Sequence, residues 1–472
     1  MNAVRCSIAF IATAVCSAAP VLPASAAFPV QVLEGVGPTR KLPEFRLGVG
    51  FRQDFQQAAI SREFVVNAPG GEAREVSELD YTLIRRELLV RARVGIYSDL
   101  ELRVTAPIVF QLDTDIEFAE GVEGNSTIFG SPNANDPNFA LRFPITTVPQ
   151  ERNRAGFGDL QIGLAWSPIT DTSYRAWPTV TLALDVTVPT GDPWDPADTD
   201  ALPSEDGTGG VGLGQTTFDV SVGLSKRSTW GTPALDPYFI LGIELPVAIS
   251  RLDELGYNPP IIARARTGTE LIFAQNETKG SYYGIDLGVV FRFIGSGRTR
   301  SPLSDYLPDF DQTNVASDLI TGVDFANPAN YRRQVDDPSI SCLTDPETGA
   351  PVLPGVPCGE FNQVEQHFQF DGHFGFRLQP SRIFSFVAGV NIGFQNDHFI
   401  TGELPGEDTD PPSAVGAICG SSPCVGTINQ SNSLGQDERS AFFDPRYDSV
   451  GGRFRAEDIF MVGFYATAVA RF

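Results

Sequence analysis

The stretch Phe460-Met461-Val462-Gly463-Phe464-Tyr465-Ala466-Thr467-Ala468-Val469-Ala470-Arg471-Phe472 closes the chain and decides its reading. Phe460, Val462, Phe464, Ala466, Ala468, Ala470 and Phe472 form one apolar register. Met461, Gly463, Tyr465, Thr467, Val469 and Arg471 form a mixed register. A period of two places the two sets on opposite faces of a strand.

A last strand that ends on an aromatic residue is similar to the C-terminal signature of bacterial outer-membrane β-barrels. That resemblance implies recognition by barrel-assembly machinery through the strand ending at Phe472. Working outward, the same alternation recurs around 44–55, 80–96, 100–110, 159–167, 179–188, 216–226, 237–246, 261–273, 283–293, 367–378 and 383–395. A soluble sandwich also alternates, so the links carry the decision. Links at 97–99, 168–178, 227–236, 274–282 and 379–382 are short. Those at 56–79, 111–157, 189–215, 294–366 and 396–459 are long, and 247–260 is intermediate. Short links alternate with long ones, as periplasmic turns and extracellular loops do. The sequence therefore predicts an all-β fold, an antiparallel transmembrane barrel of about 12 strands, within a range of roughly 10–14. Arg86 falls on the apolar register of the second strand and is expected at an interface or at a register slip.

Residues 1–26 carry one charge, Arg5, then an apolar run and Ala24-Ser25-Ala26. This is the pattern of a secretory signal peptide, leaving 27–472 as the barrel. No segment reaches the roughly 18 consecutive apolar residues of a membrane helix, which a barrel does not need. The net charge of -24 disfavours nucleic acid as a partner. Outer-membrane lipid, lipopolysaccharide and a small-molecule solute are the partners expected, with no cofactor. Cys342, Cys358, Cys419 and Cys424 remain after the leader. In an oxidising compartment they are expected as disulfides, with Cys342–Cys358 and Cys419–Cys424 the local pairing among three connectivities.

Three motifs follow one another: Gly156-Phe157-Gly158-Asp159-Leu160, Val188-Pro189-Thr190-Gly191-Asp192, and Gly212-Leu213-Gly214 ahead of Asp219 and Ser225-Lys226. Their order and spacing resemble the outer-membrane family of the MetA-pathway of phenol degradation. The resemblance implies a transporter-like barrel. Read as residues alone, the motifs are strand-end turn chemistry or guides at a pore mouth. Asp192, Asp195, Asp198 and Asp200 crowd one outer loop, read as a solvated acidic loop rather than a metal site.

Arg85, Arg91, Arg93 and Arg103 fall on the lumenal register beside Glu87 and Glu101. They read either as a selectivity strip or as a salt-bridge network filling the lumen. Asp159, Asp185, Asp219 and Asp286 supply acidic candidates elsewhere on the wall. His367, His373 and His398 show no nucleophile spacing, and no hydrolase or metal-protease motif is present, so no enzyme is expected. The predicted function is passive uptake of small aromatic or acidic solutes through an outer-membrane channel. The alternative is a barrel that anchors partner-binding extracellular loops.

Overall fold

The structure is a computed structural model. It describes residues 27, 29–33, 43–65, 73–97, 99–122, 150–171, 174, 176–196, 209–228, 233–248, 252, 256–276, 280–307, 361–419, 422–429, 431–436, 438, 440, 442–443, 447–448 and 450–472. The expected leader, 1–26, and the expected Cys342–Cys358 bridge lie outside the described residues.

Twelve antiparallel strands close into a barrel. They are β1 (Phe45–Val65), β2 (Ala73–Tyr97), β3 (Leu100–Phe118) and β4, which is broken into Gln150–Phe157 and Leu160–Ile169. Next come β5 (Thr179–Val188), β6 (Gln215–Ser225), β7 (Ala234–Ala248) and β8 (Ile262–Asn276). The last are β9 (Ser281–Ile294), β10 (His367–Gln379), β11 (Phe384–Gln395) and β12 (Phe454–Arg471). Each strand pairs with its chain neighbours, and β12 returns to β1. At that seam Leu47, Val49 and Phe51 stand opposite Ala470, Ala468 and Ala466. Closure leaves no sheet edge, as hydrocarbon demands of any spanning sheet.

Leu47, Val49, Leu164, Trp166, Leu241 and Phe464 are exposed on the outer face, while Arg52, Arg85, Tyr465 and Arg292 face a lumenal cavity. Aromatic pairs mark two belts. Phe368 packs on Phe291 and Phe293 at 5.4 and 5.2 Å, and Phe45 on Phe472 at 6.0 Å. An even-stranded closed barrel with an apolar exterior and aromatic girdles is an outer-membrane architecture. The short links, such as 98–99 and 380–383, define the periplasmic end; long links such as 295–366 and 396–453 define the outside.

Two expected loops are entered by strand from both ends. β1 and β2 continue through 56–65 and 73–79, and β3 and β4 occupy 111–118 and 150–157. The cause is an inversion of polarity. Above the membrane the inner face turns apolar: Ala58, Ile60, Leu79, Tyr81 and Ile116 point inward into one core with Leu303, Tyr306, Leu307, Ile400 and Tyr447. The outer face there is free to be polar. Arg86 sits at the boundary, where the β2–β3 register shifts between Arg86 and Glu87. Its Nη1 donates to Gln111 Oε1 at 2.6 Å.

Candidate functional site

The periplasmic part of the lumen is partly filled by residues 27 and 29–33. The backbone N–H of Ala27 donates to Ser225 Oγ at 2.9 Å, and Leu33 N–H to Glu101 Oε2 at 2.8 Å. Arg93 Nη2 donates to the Gln31 carbonyl at 2.9 Å, and Thr181 Oγ1 to that of Val30 at 2.8 Å. Val30 packs with Ala27 and Tyr238. This backbone would be costly to bury in a lumen without such donors and acceptors.

Above it runs a layer of ion pairs. Arg93 pairs with Glu101 at 2.6 Å, and Arg103 with both carboxylate oxygens of Asp185. Arg264 pairs with Asp219 at 2.5 Å and with Glu244 at 3.1 Å. Gly163 makes the Arg103–Asp185 pair possible, because a Cβ there would lie 1.8 Å from Asp185 Oδ1. Asp286 gathers three partners: Tyr238 Oη at 2.9 Å, His373 Nε2 at 2.9 Å and Arg266 Nη2 at 3.3 Å.

Above this layer lies a mid-lumen cavity of about 430 Å³, to which Arg266 and His373 contribute. Arg52 and Arg85 reach it from β1 and β2; Arg266 and Arg292 reach it from β8 and β9 across the barrel. Each has a carboxylate. Arg52 pairs with Asp54 at 2.7 Å, Arg85 with Glu87 at 2.7 Å, Arg266 with Asp286, and Arg292 with Asp371. The wall is therefore charged but balanced, with fixed donors on two opposite sides. Such a wall replaces part of the hydration of a polar solute without a net charge to trap it.

The roof is residues 300–307. Arg154, its side chain 0% exposed, makes a bidentate pair with Asp305 at 3.0 and 2.7 Å. Trp194 Nε1 donates to the same carboxylate at 3.1 Å, and Arg152 Nη2 to the Asp305 carbonyl at 3.0 Å. Arg300 donates to Tyr257 Oη at 2.8 Å and to the Trp194 and Leu213 carbonyls. Burial pushes the Tyr306 phenol up, so it stays neutral and donates to Thr114 Oγ1 at 3.2 Å.

The three sequence motifs meet in one knot beside this roof. Asp159 Oδ1 accepts from the N–H groups of Thr190 and Gly191, both at 3.1 Å. Asp159 Oδ2 accepts from Leu213 N–H at 2.5 Å. Thr190 Oγ1 accepts from Leu160 N–H at 2.9 Å. Gly191 must be glycine, since a Cβ would lie 2.2 Å from the Phe157 carbonyl oxygen. The knot joins the break in β4 to the loops flanking β5 and β6.

The structure thus distributes the predicted residues. Arg85 lines the cavity, and Asp286 holds His373 and Arg266, which line it; Arg93, Arg103, Asp185 and Asp219 form the layer below. Arg91 is exposed to the lumen without an ion pair among the described residues. Asp159 serves the knot. Within the arginine strip, Arg85, Arg93 and Arg103 are each ion-paired. Cys419 and Cys424 are bonded. Asp198 and Asp200 lie outside the described residues. Arg52, Asp54, Arg264 and Arg266 were missed, although Arg264-Ala265-Arg266 carries a period-two signal.

At the outer mouth His367 and His398 stack at 3.8 Å, their planes 7° apart. Each Nδ1 lies 2.9 Å from a backbone carbonyl, of Glu365 or Asn396, so each donates there. Burial, reinforced by His367, pushes His398 down to about 4, and burial lowers His367 as well. The unfolded mouth takes up protons that the folded one refuses. Stability from this pair is complete above about 6.5 and is lost as pH falls toward about 4. Hydrogen exchange at 398–401, corrected for intrinsic rate, should be faster at pH 5 than at pH 8. Equal protection at both would refute the assignment.

No family model matches the chain, and no curated protein matches it. Among solved structures it is similar to an outer-membrane channel from Pseudomonas putida F1, at 9% identity and TM-score 0.37, covering 90% of this chain and 96% of that one. A Pseudomonas aeruginosa FadL homologue matches at 8% identity and TM-score 0.30, over 91% and 90% of the two chains. The Escherichia coli outer-membrane protease OmpT matches at 6% and 0.27, over 91% and 96%. Channels and a protease stand side by side at this level, so the lumen itself must carry the functional reading.

Proposed function

We propose that this protein is a narrow outer-membrane channel for passive uptake of small polar solutes, aromatic and acidic ones included. The observation that carries this is the mid-lumen cavity of about 430 Å³, walled by arginine–carboxylate pairs from opposite sides of a barrel coated in apolar side chains. Transport gives these groups a task that an anchor would not need. In the same reading the leader ends at Ala26, lipopolysaccharide surrounds the outer rim, and β12 ending at Phe472 engages the assembly machinery.

The test is solute flux through the refolded mature chain in liposomes, with benzoate, phenol and a neutral sugar. Benzoate uptake should saturate. Replacing Arg52 and Arg292 together by alanine should weaken its half-saturation about tenfold or more, as expected for two lost charge-assisted contacts. The packed roof favours a second reading, a barrel anchoring its outer loops for a surface partner. Passage of no solute through a demonstrably folded barrel would leave that reading alone.

A further inference from the structure

The periplasmic rim of the lumen holds a row of like charges. Arg46 on β1 stands directly opposite Arg93 on β2 and directly opposite Arg471 on β12. Cross-strand like charges repel and cost stability. Two of the three are compensated: Arg46 Nε donates to Glu44 at 2.6 Å, and Arg93 pairs with Glu101 at 2.6 Å. Arg471 makes no ion pair or side-chain hydrogen bond among the described residues, and its Nε is buried without a partner. Arg377 of β10 adds a further positive field there.

Arg471 borders a cavity of about 160 Å³, separate from the mid-lumen one. Its other walls include Arg227, Arg377, Gln379, Ser281 and Gln31. Gln31 belongs to the N-terminal segment, so the cavity lies between that segment and the β8–β12 wall. Arg227 and Arg377 are already paired with Asp236 at 3.1 Å and Glu270 at 3.5 Å, and Gln379 Nε2 donates to the Gly280 carbonyl, so Arg471 is the lining arginine left without an ion pair among the described residues, and no carboxylate lines the cavity. A guanidinium prefers a planar two-oxygen partner.

We infer that this cavity is a binding site for small carboxylates at the periplasmic exit, with Arg471 as the anchoring residue. This rests on the channel reading and names its substrate class: solutes bearing one carboxylate, handed from the balanced mid-lumen wall to an anion-seeking exit. Arg471→Gln removes the charge, and Ser281→Asp supplies the missing carboxylate while keeping the arginine.

The experiment uses the refolded mature chain, its folding verified by heat-modifiable gel mobility. Radiolabelled benzoate binding in detergent is measured by equilibrium dialysis, and benzoate and neutral-sugar flux in liposomes. Both variants should weaken benzoate binding about tenfold or more, and Arg471→Lys should retain much of it. Sugar flux should be unchanged. Benzoate binding equal in wild type and both variants, or absent from wild type, overturns the site whether or not sugar passes. Binding that depends on Arg471 in a protein that passes no solute upholds the site and removes the channel reading. Inorganic phosphate is the competing anion: displacement of benzoate only by carboxylates supports the assignment, and stronger displacement by phosphate overturns the carboxylate class. Should Arg471→Gln not fold, Ser281→Asp carries the decision.

Discussion

Replacing Asp159 by alanine should destabilise the folded barrel by about 3–5 kcal/mol, the largest single-residue effect expected outside the roof. The carboxylate accepts three backbone N–H bonds, from Thr190, Gly191 and Leu213, and is only 7% exposed. Alanine leaves all three donors without a partner. Each orphaned buried donor costs about 1–3 kcal/mol, more where the lost acceptor is charged. Asp159→Asn keeps one oxygen for Thr190 and Gly191 but presents an amide to Leu213 N–H, so it should cost less. Denaturant unfolding in micelles, followed by Trp fluorescence, measures both. Near-equal stability of wild type and alanine variant would mean that the knot is ornament rather than joint. Gly191→Ala should resemble Asp159→Ala, because its Cβ would strike the Phe157 carbonyl.

The second large effect is expected at Asp305. Asp305→Ala leaves Arg154 buried without its partner, at a cost of about 3–5 kcal/mol. The roof, rather than the barrel, should bear that loss. Residues 300–307 hold to the wall through Arg154, Arg152, Trp194 and Thr114, and all four contact Asp305. Since each 1.4 kcal/mol is a factor of ten, a roof loosened by this much shifts its closed population by roughly 100-fold or more. Neutral-sugar flux should then rise at least about tenfold over wild type. Arg154→Met with Asp305→Leu, which removes both charges, should recover most of the stability. Flux unchanged by Asp305→Ala would show that residues 300–307 do not limit passage.

The barrel was legible in the sequence because lipid imposes a rule on every strand at once. All twelve segments, including the weak one near 261–273, became strands. The alternation of link lengths held everywhere but at the first link, where the strands leave only 66–72 between them. What the sequence concealed lies where that rule ends. Ile60, Leu79, Tyr81 and Ile116 alternate as faithfully as Leu47 and Val49, but inward, toward a core supplied by residues 300–307. A search for apolar outer faces stops at that level and reports a loop. The partners of the lumenal arginines were concealed for another reason. Arg103 meets Asp185 across 82 residues, and Arg154 meets Asp305 across 151. No local pattern encodes such distances. The motifs could be read as turn chemistry, but Asp159 as the point where three of them join required the fold.

The row Gln53–Arg86–Gln111 runs across β1, β2 and β3 on the outer face, immediately above the exposed apolar band. Arg86 and Gln111 satisfy each other, and beyond them only the pair Phe55–Ile84 still turns an apolar face outward before Ala58, Ile60, Leu79 and Tyr81 carry the greasy side in. A thicker hydrocarbon layer would have to swallow this polar line, at a cost that tilting twelve interlocked strands could not relieve. The line is a waterline. It sets how deep the hull may sit, and it suits the protein to a thin membrane whose outer surface is a hydrated sugar layer rather than to bilayers of ordinary depth.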